Sequence, residues 1–262
     1  LNDDEVGCDD LAIGGDSDIS CDLRPGLLQS WRSYVGDPDD QPERWVRSGG
    51  PLGIRDRPVD RGAFPVYRDE QPDDPETLPE FSEGSEQRGK ATDNDKRAAE
   101  EIQRLLEQKY AAAFDSLLEL KEHLKEAPVV SELIIISKVT SSGEVKKRSI
   151  VNYKKFGISR SSRKSERALL PRALDIVWDV LDLLGAAEDR GISGEPVHLV
   201  LNFSDAFFQL PTSPKEQRFA VVRFQGKFTL CRRAPQGSRG APLLWARVCA
   251  LLCRLGVTLG DV

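Results

Sequence analysis

The spacing of apolar residues changes period several times along this chain, and each change marks a predicted element. Between residues 95 and 127, Ile102, Leu105, Leu106, Lys109, Tyr110, Ala113, Phe114, Leu117, Leu118 and Leu124 follow a stripe of roughly 3.6 residues, with Lys and Glu on the other face. This predicts a helix capped by Asp93 or Asp95, divisible at a break near Phe114–Asp115 and ended by Pro128. Residues 129–153 shift to β-branched runs around Thr140-Ser141-Ser142-Gly143, which predicts a β-hairpin. Leu169 to Leu184 returns to helical spacing, with Leu170, Leu174, Val177, Val180, Leu181 and Leu184 as its stripe. Val197 to Phe203 predicts a central strand. Phe219 to Phe224 and Lys227 to Arg232, joined by Gln225–Gly226, predict a second hairpin. Pro242 opens a helix to Leu255, with Leu244, Val248, Leu251, Leu252 and Leu255 toward the sheet. Before residue 95 only Leu27 to Val35, between the Pro25–Gly26 break and Gly36, predicts a helix.

Charge divides the chain at the same place. Residues 1–95 hold 24 acids and 10 bases, a net of −14, and residues 96–262 hold 19 acids and 27 bases, a net of +8. The first part is rich in Asp, Pro, Gly and Ser, with acid pairs at 3–4, 9–10, 39–40 and 73–74, and its apolar residues are too sparse for a core. It reads as an acidic, mostly disordered leader whose acid pairs are solvated. The basic remainder is what a polyanion would approach. No apolar run reaches the roughly 20 residues of a membrane span, and no signal peptide opens the chain. The 5 Cys (Cys8, Cys21, Cys231, Cys249, Cys253) show no pairing logic, so a reduced, intracellular protein is expected. Cys249 and Cys253 read as small core residues, and His123 and His198 as structural. The chain contains no Met and is expected to be a piece of a longer reading frame.

From Lys146 to Arg172 there are ten bases and one acid, Glu166. Lys146, Lys147, Lys154, Lys155, Arg160, Arg163, Lys164, Arg167 and Arg172 are candidate nucleic-acid contacts, against the ordinary alternative of a solvated face. Tyr153 and Phe156 interleave with them, placed either to stack bases or to pack in the core.

The stretch LVLNFSDAFFQLP, beginning at Leu199, and FQGKFTLCRRAPQGSRGAPLLWARV, ending at Val248, resemble two consecutive palm motifs of reverse transcriptases. The likeness is to Pol polyproteins of dinoflagellate-type retrotransposons. The 129–153 hairpin extends it: the fingers hairpin of that family matches at Lys138, Gly143, Arg148, Asn152, Tyr153 and Lys154. Trp45 to Pro65 resembles the segment upstream of the polymerase and is expected as an extended docking strap.

The resemblance implies deoxynucleotidyl transfer assisted by Mg²⁺, with Asn202 at the catalytic position of the metal-binding Asp. It implies that Lys138 and Arg148 grip the triphosphate and that Asp205 and Ala206 offer it backbone N–H groups. Phe207 would lie beneath the sugar, Gln236 would touch the nucleotide, and Gly237 would let backbone come close. No Asp-Asp pair follows residue 202, so no intact metal set is expected.

The fold expected is α+β: an acidic leader (1–95), a helix plus polymerase fingers (96–196), and the first part of a palm (197–262) that stops before the family's Tyr-x-Asp-Asp hairpin. The function expected is that of an N-terminal fragment of an RNA-directed DNA polymerase, inactive as it stands. A non-enzymatic nucleic-acid-binding remnant using residues 146–172 is the alternative. Expected partners are an RNA or DNA primer–template and deoxynucleoside triphosphates, with no membrane.

Overall fold

The computed structural model describes residues 23–68, 71–81, 93–170, 172–193 and 202–260. The acid pairs at 3–4 and 9–10, Cys8, Cys21, His198 and most of the predicted 197–203 strand lie outside these. The architecture is α+β. Its centre is a four-stranded sheet in the order β1 (Ala111–Phe114), β6 (Lys227–Cys231), β5 (Val221–Phe224) and β2 (Val130–Ser131). β1–β6 and β6–β5 run antiparallel, and β2 joins β5 in parallel. A separate hairpin pairs β3 (Leu133–Val139) with β4 (Val145–Val151). The 20-residue α7 (Ala241–Gly260) buries Leu244, Val248, Leu251 and Leu255 in the core. Among the described residues no helix is long and apolar enough to cross a membrane.

Both hairpins form where the pattern placed them. In the second, Gln225 (φ 49°) and Gly226 (φ 83°) take the left-handed conformations that a two-residue turn between twisted strands requires.

The 95–127 region differs from its expectation. It divides into α3 (Asp93–Glu107), β1 and α4 (Leu117–Leu124). The cause is Lys109, at φ 56°. Tyr110 N–H donates to Leu105 O at 2.8 Å and Lys109 N–H to Leu106 O at 3.0 Å, the paired bonds of a left-handed helix cap, with Lys where Gly is usual. The chain leaves the helix and pairs with the open edge of β6. Ser116 then caps α4 by accepting from Glu119 N–H at 3.1 Å.

The leader is the larger correction. Residues 23–68 and 71–81 are not a disordered tail: they form helices and a strap that send buried residues into the main core. α1 (Pro25–Val35) and α2 (Gln41–Ser48) bring Leu28, Trp45 and Val46 against it, and the strap adds Leu52 and Ile54, all buried. Two polar anchors hold them there. Glu216, fully buried in the 3₁₀ segment Pro214–Phe219, accepts backbone N–H groups of the strap: Ile54 at 2.8 Å, Arg55 at 2.7 Å, Asp56 at 3.0 Å, and Leu52 as well. Burial pushes the Glu216 carboxyl above the usual carboxylate range, while the N–H groups of Asp56, Arg55, Leu52 and Ile54 pull the other way. Ser162 Oγ donates to Leu52 O at 2.9 Å, and Arg163 N–H donates to Gly53 O at 2.6 Å.

The second anchor is Arg247 of α7. It forms a bidentate pair with Asp39, donates to Val59 O at 2.5 Å, lies 3.5 Å from Glu166 and stacks over the Trp45 ring at 4.9 Å. Asp39 and Glu166 are buried with it, and Asp37 pairs with Arg254. These acids of the leader are therefore structural rather than solvated. Asp73 and Asp74, by contrast, are exposed as expected of solvated acids, and Asp74 also caps the turn Pro75–Thr77, accepting from Glu76 N–H at 3.0 Å.

α6 (Ala173–Asp189) forms close to the predicted span but has no buried residue. Leu174, Val177, Leu181 and Leu184 stand at 42–56% exposure, so its stripe does not meet the core. Cys253 of α7 is exposed rather than a core residue, and Cys249 is half-buried.

Replacing Glu216 by Ala strands several buried N–H donors at once. A loss on the order of 3 kcal/mol or more is expected, equivalent to a melting point roughly 10 °C lower. Glu216→Gln, which keeps one acceptor oxygen, should lose clearly less. Thermal unfolding followed by circular dichroism measures both, and equal melting points for wild type and Glu216→Ala would refute the anchor.

Candidate functional site

The nominated residues come from three stretches that the fold brings toward one junction. The first is the β3–β4 hairpin. Its register sets Ile136 opposite Arg148 and Lys138 opposite Lys146, which puts Lys138 and Arg148 on one face, two positions apart. Both side chains are exposed. The side chains of Lys146 and Lys147 lie outside the description. Thr140 Oγ1 accepts from Glu144 N–H at 3.1 Å and closes the turn around Gly143, at φ 80°.

The second stretch is Pro235-Gln236-Gly237, docked on the base of that hairpin. Val151 N–H donates to Gln236 O at 2.9 Å. Gly237 has φ 104°, and a Cβ built there would stand 2.3 Å from Val151 O. Only Gly permits this approach. Ser238 Oγ then accepts from Ala241 N–H at 3.1 Å and starts α7.

The third stretch is 202–210. Leu199–Leu201 lie outside the described residues, and Asn202 and Phe203 are exposed and belong to no strand. The expected sharing of one sheet with Phe219–Arg232 is not found at Asn202 and Phe203, since β1 and β2 flank the β5–β6 pair. Asp205 turns the chain at φ 50°, ψ 35°, and Ala206–Gln209 form a 3₁₀ turn. That turn separates the two phenylalanines. Phe208 is buried and stacks on Tyr110, with centroids 5.4 Å apart and planes at 6°. Phe207 is half-buried against the main core. Phe208, not Phe207, lines the cleft described next.

A small cleft remains where α3, the hairpin, the sheet and the Pro-Gln-Gly turn meet. Glu101, Leu105, Ser149, Val151, Phe208 and Gln236 are in its wall. Cys231 also lines it, its thiol pushed up to about 12 by burial, so it is no nucleophile at neutral pH. Beside the cleft Arg104 of α3 binds Glu101 with two nitrogens, at 3.1 and 2.9 Å, and Asp205 with a third, at 2.8 Å. Its pKa is raised, chiefly by the hydrogen bond to Glu101.

The basic run is partly a surface and partly framework. Lys154, Arg160, Arg163 and Arg167 are exposed. Lys155 meets Glu132 at 2.5 Å and lies over the Phe156 ring, Lys164 is half-buried, and Arg172 pairs with Asp175 at 2.9 Å. Tyr153 is buried in the main core and does not serve as a stacking platform. Glu166, the one acid of the run, is buried beside Arg247.

Among the described residues, the donors of these three stretches do not fit a two-metal centre. Asn202 offers a neutral amide, the Asp205 carboxylate is engaged by Arg104, and among the described residues no group of three His, Cys, Asp or Glu side chains could hold a metal ion. Arg104, Glu101, Glu216 and Arg247 carried no motif that sequence reading could use. Arg104, Glu216 and Arg247 act through partners far away in the chain, and Glu101 acts by holding Arg104 on the same helix.

No family model matches the chain, and a search of curated proteins returns no match.

Gly237→Ala should cost about 2–3 kcal/mol, since it adds both a steric clash and a strained backbone. Hydrogen exchange at Val151 N–H should accelerate in step. Gly62→Ala is the control: its φ is 71°, but nothing lies within 4 Å of its Cβ position, so it carries the backbone strain alone. Equal losses in the two variants would show that the close contact is unimportant.

Proposed function

We propose that this chain is an N-terminal part of a retroelement RNA-directed DNA polymerase, bearing the fingers hairpin and the opening of the palm, and that it binds nucleotide and nucleic acid without catalysing transfer. One observation carries the reading. The fingers-like hairpin and the Pro-Gln-Gly turn, some 85 residues apart in sequence, are joined by the Val151–Gln236 hydrogen bond and by a contact that tolerates only Gly at 237. This is where a polymerase of that family would receive its nucleotide. Lys138 and Arg148 on one hairpin face suit a triphosphate. Exposed Lys154, Arg160, Arg163 and Arg167 suit a nucleic-acid backbone.

Inactivity follows from Asn202. An amide supplies none of the negative charge that two cations need to approach each other, and electrostatic stabilisation carries most of phosphoryl-transfer catalysis. The Mg²⁺ that the family uses is therefore given no role in this chain.

The second reading is a purely nucleic-acid-binding remnant. It is favoured by the exposed bases and by the neutral residue at 202. Filter binding to a primer–template across a salt series tests the shared premise: log affinity should fall steeply with log salt, and flat binding would refute both readings. Replacing Lys154, Arg160, Arg163 and Arg167 together by Gln should reduce that slope by roughly three to four. Binding of a deoxynucleoside triphosphate then separates the two readings, since only the polymerase fragment should retain it.

A further inference from the structure

Arg104 is a cation that neither sequence motif contains. Its guanidinium is fixed by Glu101, which accepts from Nε and Nη2 at 3.1 and 2.9 Å, leaving Nη1 to hold Asp205 Oδ2 at 2.8 Å. It lies over the Phe208 ring at 5.6 Å, and both Phe208 and Glu101 line the cleft that contains Gln236. The two ionic contacts differ in kind. Glu101 is a local partner, three residues back on the same helix, and its side chain is largely covered, at 15% exposure. Asp205 is a distant partner on a turn, and the Arg104–Asp205 pair is about one-third exposed on both sides. Asp205 also sits at φ 50°, in the left-handed region that Asp enters more readily than most residues. A guanidinium held by Glu101 through two nitrogens, with its third bound to a single carboxylate oxygen in a pair that is one-third exposed, is an anion site occupied from within. The same nitrogens bind carboxylate and phosphate oxygens with similar geometry.

We propose that Arg104 binds the phosphate chain of the incoming nucleoside triphosphate, and that the Asp205 carboxylate occupies it until that anion arrives. The proposal rests on the nucleotide-binding reading above, which assigns the backbone N–H groups of Asp205 and Ala206 to the same phosphates. On binding, Arg104 stays on Glu101 and exchanges Asp205 for a phosphate oxygen. Glu101 is thus a positioning residue, and Asp205 is a competitor through its side chain while it is a donor through its backbone.

The test is equilibrium binding of dATP and of inorganic triphosphate, both without divalent metal, to the full chain by calorimetry, with thermal unfolding in parallel. Arg104→Ala should weaken both ligands roughly tenfold or more, and Arg104→Lys less. Asp205→Asn, nearly isosteric, should tighten both by about threefold, because the internal competitor has lost its charge. A merely structural salt bridge predicts the opposite for Asp205→Asn: a lower melting point and weaker or unchanged binding. That result, or wild-type affinity in a folded Arg104→Ala protein, overturns the assignment while the nucleotide reading stands. Absence of triphosphate binding in the wild-type chain, with primer–template binding intact, removes the nucleotide reading and this assignment together.

Discussion

A single buried carboxylate sets the terms for the rest of this fold. Glu216 stands in a concavity of backbone N–H groups from Leu52, Ile54, Arg55 and Asp56, and it has no route to water. Those amides would otherwise be unsatisfied donors in the interior, and the carboxylate an uncompensated charge. Each solves the problem of the other, so neither the strap nor the 3₁₀ turn can move alone. The strap in turn holds the neighbouring loop through Gly53 O and Leu52 O, and a Cβ on Gly240 would meet Leu52 O at 2.3 Å. α7 therefore begins where the strap permits. The Pro-Gln-Gly turn lies just before it, so the position of the candidate cleft depends on a contact outside it.

What the sequence made legible was local. Both hairpins and the start of α7 follow from period, turn residues and Pro placement, while α7 runs on to Gly260, past the predicted end at Leu255. Two kinds of feature were not legible. Lys109 in a left-handed cap ends α3 without the Gly that would announce it, so an Ala-rich strand passed for helix. A signal was nonetheless present: Ser116 three residues before Glu119 is a helix-start pattern, and Glu119 also accepts from Asp115 N–H at 3.2 Å. The leader failed for a different reason. Its composition is that of a disordered segment, but Asp39 and Arg247 pair across 208 residues, and no composition-based reading weighs such a partner. At the candidate site, the motif residues were identifiable by type, whereas Arg104 became relevant only when α3 was placed beside the Asp205 turn.

On the proposed reading, the chain would keep the parts of a polymerase that grip substrate while lacking charge at Asn202. The two depend on different physics. Grip is distributed over exposed bases, backbone contacts and a Gly-dependent close approach, so single changes weaken it by degrees. Metal-assisted transfer is concentrated in a few carboxylates, and one oxygen replaced by nitrogen at residue 202 is enough to remove a ligand.

The span of the Arg247–Asp39 pair also bears on how the chain is made. At synthesis rates of about 5–20 residues per second, the ribosome needs on the order of 10–40 seconds to travel from one partner to the other. Throughout that interval the core that Trp45, Leu52 and Ile54 enter is incomplete, because Val248 and Leu251 do not yet exist. The N-terminal part that reads as the least structured is thus the part that waits longest for its fold. Its dense acids, which look like a tail in the finished sequence, give that waiting segment a net negative charge, and like charge disfavours association between copies.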